Sequence, residues 1–215
     1  MEPNATHALL VGSFKKMALA EVSFNTSRFS CVKIFCILVG VELFNPTLAR
    51  DNLVATFPTM GPQFILKINL TINSWDSGWR HILQVTDGGR HSSTGDRYPF
   101  LALNNEKIVF VSEKNGNFNP DDLKYEAELN TKYKIEVHQT NMDGTTMFKI
   151  FIDDVEEVSV INSSPIVVEN ALVYLAPNFV DAGNATVEYF YLESFYCDPG
   201  FYWNEGTSSC ESNNL

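Results

Sequence analysis

The sequence predicts an all-β protein built as a two-sheet antiparallel sandwich or jelly roll. The chain contains 16 Phe and 8 Tyr, and many of them fall in short runs with Val and Ile, residues that favour strands. About ten such runs are separated by turn residues at regular spacing, with almost no helical periodicity. A length of 215 residues is enough for one sizeable hydrophobic core.

The first strands of the predicted sandwich are Leu53–Phe57 and Gln63–Ile72, joined by the turn Met60-Gly61-Pro62. In FILKINLTI, five apolar side chains share one face, and Lys67, Asn69 and Thr71 occupy the other. The same pattern predicts further strands at Arg80–Val85, Phe100–Leu103, Lys107–Val111, Lys132–Gln139, Thr146–Asp153, Glu156–Val160, Ile166–Ala176 and Thr186–Phe195.

Three local patterns refine this assignment. YKIEVHQ and FKIFIDD both alternate apolar and polar residues, and TNMDGTT between them predicts a hairpin with a medium loop. The last strand, TVEYFYLESF, breaks strict alternation and predicts a bulge or burial on both faces. A short helical turn is expected only at Asp121-Asp122-Leu123.

The charge balance limits the partners. Lys and Arg number 15 and Asp and Glu 26, a formal net charge of -11. Phosphate backbones and anionic lipid head groups repel such a surface, which argues against a nucleic-acid partner. Cations or neutral glycans suit such a surface better, and the favoured explanation is that the acidity only keeps a secreted protein soluble.

Residues 1–49 are predicted to be a leader. Ile34–Val41 is apolar but too short to span a bilayer, and it resembles the hydrophobic part of a secretory signal followed by the small-residue site NPTLA. The long stretch before it fits a start at Met17 or an uncleaved anchor, and a buried strand is the competing interpretation. No stable membrane insertion is expected unless the leader is an anchor. The folded domain is predicted at residues 50–196 and a Cys-containing tail at 197–215.

Cysteines and sequons indicate the compartment. Cys197 and Cys210 flank Pro-Gly and Glu-Gly turns and fit a small disulfide loop, or the start of a longer Cys-rich module. Both alternatives imply an oxidising compartment. Among five Asn-x-Ser/Thr sequons, Asn69, Asn162 and Asn184 lie in the folded part and are the predicted glycosylation sites. The protein is therefore predicted to be secreted.

A series of motifs relates the chain to a known superfamily. They are, in order, W-x-x-x-W-x-x-I-L-Q-V-T-D-G-G, G-D-R-Y-P-F-L-A-L, N-G-N-F-N, Y-K-I-E-V-H-Q-T, F-K-I-F-I-D-D and V-Y-L-A-P. In this order the chain resembles the concanavalin A-like lectin/glucanase jelly roll over residues 52–195. Within that superfamily it is most similar to laminin-G-like domains of secreted animal proteins, including some from skeletal matrices. The resemblance implies two curved antiparallel sheets that bind glycans, extracellular partners or Ca²⁺ at rim loops.

The loop Thr86–Tyr98, which contains DGGRHSSTGDR, is the candidate site. Carboxylates at its two ends and carbonyls of its glycine turn could bind Ca²⁺. Alternatively, its Asp and Arg side chains could bind sugar hydroxyls while a Trp stacks on the ring. A purely structural loop, with a capping Asp and an internal ion pair, is the third interpretation. The candidate ligand-binding residues are Trp75, Asp87, Arg90, Asp96 and Arg97, and the candidate metal ligands are Asp87 and Asp96.

The two tryptophans near this loop are expected to differ. Trp79 begins a strand and is predicted to lie in the core. Trp75 lies between turn residues and is predicted to be the exposed one.

Catalysis is not predicted. Glucanases of this superfamily need carboxylates spaced Glu-x-Asp-x-x-Glu on one strand, and neither Asp153–Glu157 nor Glu126 with Glu128 has that spacing. Asp153-Asp154 is instead a predicted hairpin turn, and galectin-type His-x-Asn-x-Arg and Trp-x-x-Glu-x-Arg elements do not occur. The predicted function is non-catalytic binding of extracellular glycan or matrix protein, with Ca²⁺ as a candidate cofactor. The alternatives are an acidic structural matrix protein without a discrete pocket and a degenerate glycoside hydrolase.

Overall fold

A computed structural model of the protein describes residues 36–89, 93–120, 122–142, 144–177, 180–197, 201–204 and 209–212. For residues 36, 37 and 142 and both segments beyond 200, only the backbone is described. The described chain forms fourteen strands: β1 Cys36–Phe44, β2 Leu53–Met60, β3 Gln63–Ile72, β4 Arg80–Thr86, β5 Phe100–Asn104, β6 Lys107–Val111, β7 Leu123–Glu126, β8 Lys132–Met142, β9 Thr145–Ile152, β10 Val155–Ile161, β11 Val168–Tyr174, β12 Ala185–Cys197, β13 Phe201–Asn204 and β14 Ser209–Ser212.

Twelve of these strands form two six-stranded antiparallel sheets. One sheet has the order β1-β12-β3-β8-β9-β10, and the other has the order β2-β11-β4-β5-β6-β7. Strands β13 and β14 form a separate hairpin after the sandwich. The described residues include no helix, and hence none that could span a membrane. The predicted all-β, two-sheet antiparallel sandwich is confirmed.

Period-two alternation builds the core between the sheets. In β3, Phe64 and the alternating residues after it are fully buried, while Ile65, Lys67 and Asn69 lie on the outer side; the buried residues are Phe64, Leu66, Ile68, Leu70 and Ile72. Residues from both sheets belong to one apolar cluster, and Phe110 of β6 meets Phe148 of β9 with ring centroids 6.2 Å apart. The alternation predicted for YKIEVHQ and FKIFIDD is confirmed in β8 and β9.

Tight turns set the register of the hairpins. Asp153 and Asp154 connect β9 to β10 with φ angles of 49° and 67°, and this confirms the predicted hairpin turn. Left-handed φ at both central positions matches the right-handed twist of paired strands. The β8–β9 connection is shorter than predicted because pairing continues to Met142 and Thr145. The register shift between Val187 and Tyr189 in β12 confirms the predicted bulge.

Two segments depart from expectation. The helical turn predicted at 121–123 is wrong at Leu123, which begins β7 and pairs with Phe110 at the edge of its sheet. Residue 121 lies outside the described residues. Within the predicted leader, residues 36–44 form β1 along β12, as in the buried-strand alternative. Cleavage of a leader stays a prediction.

Of the two C-terminal cysteines, the structure describes the side chain of Cys197 and only the backbone of Cys210. Cys197 ends β12, is buried and is disulfide-bonded. The side chain of Cys210 lies outside the described residues, so the pairing of Cys197 with Cys210 stays a prediction. Cys36 is the Cα partner of Cys197 in the β1–β12 ladder, which makes it a second possible partner on backbone grounds.

Candidate functional site

The outer face of the β4–β5–β6 sheet carries an apolar cluster separate from the main core. Its members are Phe100, Ala102, Val109 and Val111. Phe100 pairs directly with Val111, and Ala102 pairs with Val109. Because side chains alternate along a strand, these residues face away from Leu101 and Phe110, which belong to the main core. A sheet face directed away from the core normally carries polar residues, so this apolar patch requires a cover.

A cleft of about 280 Å³ lies against this patch. Phe100 and Val111 form its apolar floor, and the other lining residues are Trp79, His81, Arg97, Asn119 and Val180. The ring of His81 meets Phe100 edge-on with centroids 4.7 Å apart. The Trp79 ring lies 6.5 Å from the same phenyl ring. The cleft therefore combines exposed aromatic surface with a few polar side chains, the usual composition of a small-ligand site.

Local sequence explains why these side chains meet. Trp79 and His81 are two residues apart at the start of β4, so both can lie on the outer face. His81 is the register partner of Ala102, which places it over the apolar patch. The backbone N–H of His81 donates to the carbonyl of Asp181, 3.1 Å away, and this bond fixes the loop that carries Val180 beside the cleft.

Arg97 supplies the positive charge of the cleft. Its Cζ lies 5.5 Å from the centroid of the Phe100 ring, and its Nη1 donates a hydrogen bond to Oδ1 of Asn119. Its Nε is buried without a hydrogen-bond partner. Burial lowers the pKa of Arg97, and the nearby Asp96 charge opposes that effect. The guanidinium nevertheless remains cationic at physiological pH, since arginine titrates far above it.

The loop at residues 86–98 uses its carboxylates internally. Oδ1 of Asp87 accepts the backbone N–H of Gly89 at 3.1 Å. Oδ2 of Asp96 accepts the backbone N–H of Ser93 at 2.8 Å and its hydroxyl at 3.1 Å. The N–H of Gly95 donates to Oε2 of Glu113 at 2.7 Å. These bonds agree with the structural interpretation of the loop, because each carboxylate holds a turn.

The glycines of this loop allow its two arms to approach closely. A Cβ on Gly89 would lie 1.7 Å from Oδ1 of Asp96, and one on Gly95 would lie 2.8 Å from Oδ2 of Asp87. Each aspartate thus packs against the glycine of the opposite arm. Among the residues described, no group of three or more His, Cys, Asp or Glu side chains is arranged to hold a metal ion. Calcium binding at Asp87 and Asp96 stays a prediction.

The assignments of the two tryptophans are reversed relative to the prediction. Trp75 is partly buried and packs against the main core, whereas Trp79 is 46% exposed and lines the cleft. The pairing of β3 with β12 continues one residue beyond Ile72, since the N–H of Asn73 donates to the carbonyl of Asn184 at 2.8 Å. Among the predicted ligand-binding residues, Arg97 lines the cleft, and Arg90 lies outside the described residues.

One of the three predicted glycosylation sites conflicts with the structure. Asn162 is 1% exposed, and its Nδ2, the atom a glycan would occupy, donates to Oε1 of Gln139 at 2.8 Å. Its Oδ1 accepts the backbone N–H of Asn115 at 3.0 Å. The Asn162 prediction is therefore corrected, because this fold leaves no room for a glycan there. Asn69 is partly exposed on the outer side of β3, and Asn184 is exposed.

The residues that line the cleft bear on whether it could hydrolyse a glycoside. Among the described residues, the lining includes no Asp or Glu, and Asp153 and Asp154 occupy a hairpin turn. Glycoside hydrolysis by the usual route needs a pair of carboxyl groups across the scissile bond. The described lining therefore offers binding groups rather than this acid–base pair.

No protein-family model and no curated protein sequence matches the chain. Solved structures do show similarity. A Caenorhabditis elegans galectin aligns over 70% of this chain and 94% of its own, with 17% identity and a TM-score of 0.44. Trypanosoma rangeli sialidase in complex with sialic acid aligns over 85% of this chain and 30% of its own, with 14% identity and a TM-score of 0.44. The botulinum neurotoxin type G receptor binding domain aligns over 82% and 47%, with 10% identity and a TM-score of 0.44.

These similarities do not assign an activity. Identities of 10–17% and TM-scores below 0.5 are too low to carry over a ligand or a residue role. The chain spans less than half of the sialidase and toxin structures. The three structures also include a galectin and a sialidase, so the comparison does not decide between binding and catalysis.

Proposed function

We propose that the protein is a secreted, non-catalytic module that binds an extracellular glycan in the Trp79 cleft, related to laminin-G-like domains. The observation that carries the proposal is the exposed Trp79 ring beside Arg97 and Asn119 over an apolar floor. Sugar rings present apolar C–H faces that pack on aromatic rings, and their hydroxyls pair with a few placed polar groups.

The architecture of the cleft supports a preformed site. Its floor belongs to the paired strands β5 and β6, and His81 belongs to the adjacent strand β4. A site on strands loses little freedom when a ligand binds, because its side chains are already ordered by the sheet. A volume of about 280 Å³ suits one or two sugar rings rather than a folded protein surface.

A glycan array followed by calorimetric titration of the best binder tests this proposal. We expect saturable binding that Trp79→Ala weakens at least about tenfold, a loss of about 1.4 kcal/mol. Phe44→Ala is the matched control, because Phe44 is a 68% exposed aromatic residue on β1 of the opposite sheet. That variant should bind like the unmodified protein.

Two results would reject glycan binding in the cleft. One is a blank array with the folded protein, and that result would support the alternative of an acidic structural matrix component. The other is equal weakening by Trp79→Ala and Phe44→Ala, which would place any binding outside the cleft. Release of a shortened sugar during titration would instead show catalysis.

A further inference from the structure

We infer that the cleft selects saccharides carrying a single anionic group, a carboxylate or a sulfate ester, and that Arg97 binds this group while Trp79 packs on the sugar ring. The inference rests on the proposed function and specifies the ligand class of the same cleft. It depends on the charge of the lining and on the pairing of Arg97.

The lining of the cleft differs in charge from the molecule as a whole. The chain has a formal net charge of -11, yet the seven lining residues that the structure describes include one arginine and no Asp or Glu. Arg97 is therefore a local positive site on an acidic protein. Within the part of the chain that is described, no carboxylate forms an ion pair with this guanidinium, and its one hydrogen bond is to the neutral amide of Asn119.

Two lysines on the outer face of the opposite sheet, unlike Arg97, form ion pairs with carboxylates. On the opposite sheet, Lys134 contacts Glu136 at 2.9 Å and Asp154 at 2.6 Å, and Lys149 contacts Glu156 at 2.7 Å. These ammonium groups are already compensated by carboxylates. Arg97 is partly desolvated and has the Asp96 charge nearby, but no described carboxylate lies at ion-pair distance from it. Such a guanidinium gains more from an anionic ligand than from a neutral one, because charge-assisted bonds are about twice as strong.

The same net charge limits how many anionic groups a ligand can carry. Polyanions such as heparin-like chains would bring many charges close to an acidic surface and would be repelled. A saccharide with one charged group places that group at Arg97 and leaves neutral sugar elsewhere. The expected dependence of affinity on salt is therefore shallow, since a ligand with one charge makes one ion contact, which salt weakens only by screening.

The test compares three sugars that differ at one position. The probes are a neutral methyl hexopyranoside, its C6 carboxylate (the uronide) and its 6-O-sulfate, each titrated into the full chain. We expect the uronide or the sulfate to bind at least about tenfold more tightly than the neutral parent. The probe that binds more tightly, the uronide or the sulfate, identifies which anion the cleft accepts.

Variants assign the preference to Arg97. Arg97→Gln should abolish the difference between charged and neutral probes, and Arg97→Lys should retain a smaller preference because the charge remains without the planar fork. Trp79→Ala should weaken all probes alike. Lys132→Gln is the charge-matched control: it removes one positive charge from the opposite sheet, where Lys132 contacts Glu188, and should leave the preference unchanged.

The outcomes separate this inference from the proposed function. Equal or tighter binding of the neutral parent, or a preference that survives in folded Arg97→Gln, overturns the selectivity and leaves glycan binding intact. A steep salt dependence with heparin as the best binder also overturns it. Failure of every sugar on the array and of all three probes overturns the glycan site itself. Thermal unfolding of each variant shows that it is folded.

Discussion

The loop at residues 86–98 and the cleft beside it use polar groups in opposite ways. In the loop, Asp87 and Asp96 accept hydrogen bonds from the backbone of Gly89 and Ser93. In the cleft, Trp79 remains 46% exposed and Arg97 bonds only a neutral amide among the described residues. The two carboxylates of this charge-rich loop are thus engaged by its own backbone, while a sparse set of side chains from separate segments of the chain forms the more open site.

The loop nevertheless contributes to the cleft by positioning Arg97. Gln84 donates to the backbone carbonyl of Asp96 at 2.7 Å, and the carbonyl of Arg97 accepts the N–H of Glu113 at 2.9 Å. These bonds hold the backbone on both sides of the guanidinium. The loop therefore stabilises the backbone that carries Arg97, and the cleft provides the surface for a ligand. Mutations in the loop are expected to change the free energy of unfolding, and mutations in the cleft are expected to change ligand affinity.

The largest expected difference is between the two tryptophans. Trp75→Ala should lower the free energy of unfolding by about 3 kcal/mol, since Trp75 packs against the core. Trp79→Ala should change it by about 0.5 kcal/mol or less, because the ring is largely at the surface. Denaturant unfolding measures both values. A larger loss for Trp79 than for Trp75 would contradict the placement of the two rings.

The second comparison lies within the loop. Asp96→Ala should lower the free energy of unfolding by about 2 kcal/mol, because it removes a buried carboxylate that holds Ser93. Asp87→Ala, at an exposed position, should cost about 0.5 kcal/mol. Similar losses in the two variants, measured by denaturant unfolding, would show that burial does not distinguish the two ends of the loop.

A smaller effect on the free energy of unfolding is expected from Glu136, on the outer face of the opposite sheet. Burial acts to raise the pKa of Glu136, but hydrogen bonds from Lys134 and His138 and the charge of Lys67 outweigh it and hold the pKa below its ordinary value of 4.5. A carboxyl group with a lowered pKa stabilises the fold above that value, and the contribution is lost as pH falls through the folded-state pKa.

Glu136→Gln tests this linkage. The variant should be less stable than the parent near pH 7, and the difference in free energy of unfolding should shrink as pH falls below about 4.5. Denaturant unfolding at several pH values measures the difference. A difference that stays constant or widens toward acid pH would contradict the lowered pKa.

The smallest expected effect is that of Ca²⁺. Because the carboxylates of Asp87 and Asp96 already bind backbone N–H groups, adding Ca²⁺ after chelator treatment should shift Tm by no more than about 1 °C. A rise in Tm that increases with Ca²⁺ concentration and disappears in Asp96→Asn would restore the loop as a metal site.

Alternation and turn chemistry predicted most of the fold. The strands β3, β8 and β9 follow period-two patterns, and left-handed turn positions such as Asp153 and Asp154 are readable from residue type. The sequence does not predict strand β7, because LKYE is short and half-exposed at a sheet edge. Edge strands bury little, so their alternation is weak.

The cleft could not be predicted from local sequence because its residues come together only through sheet pairing. Trp79 and Asn119 are forty residues apart and meet across β4, β5 and β6. One local signal was available: Trp79 and His81 share a face by period two, and that face is opposite to Ile82 in the core. The charged loop is a visible motif because its residues are adjacent in sequence, and the same adjacency favours hydrogen bonds within the loop.

If the chain is secreted, as proposed, the buried amide of Asn162 would couple its folding to its glycosylation. The Nδ2 of Asn162 in its Asn-Ser-Ser sequon would be accessible to glycosylation enzymes only before it is buried against Gln139 of β8. A sugar attached at that stage would leave Gln139 and Asn115 without their present partners and prevent the native packing. In a chain made in the secretory pathway, folding and modification would therefore compete for one nitrogen atom. The occupancy of this sequon would then record how often the enzyme acted before the strands closed.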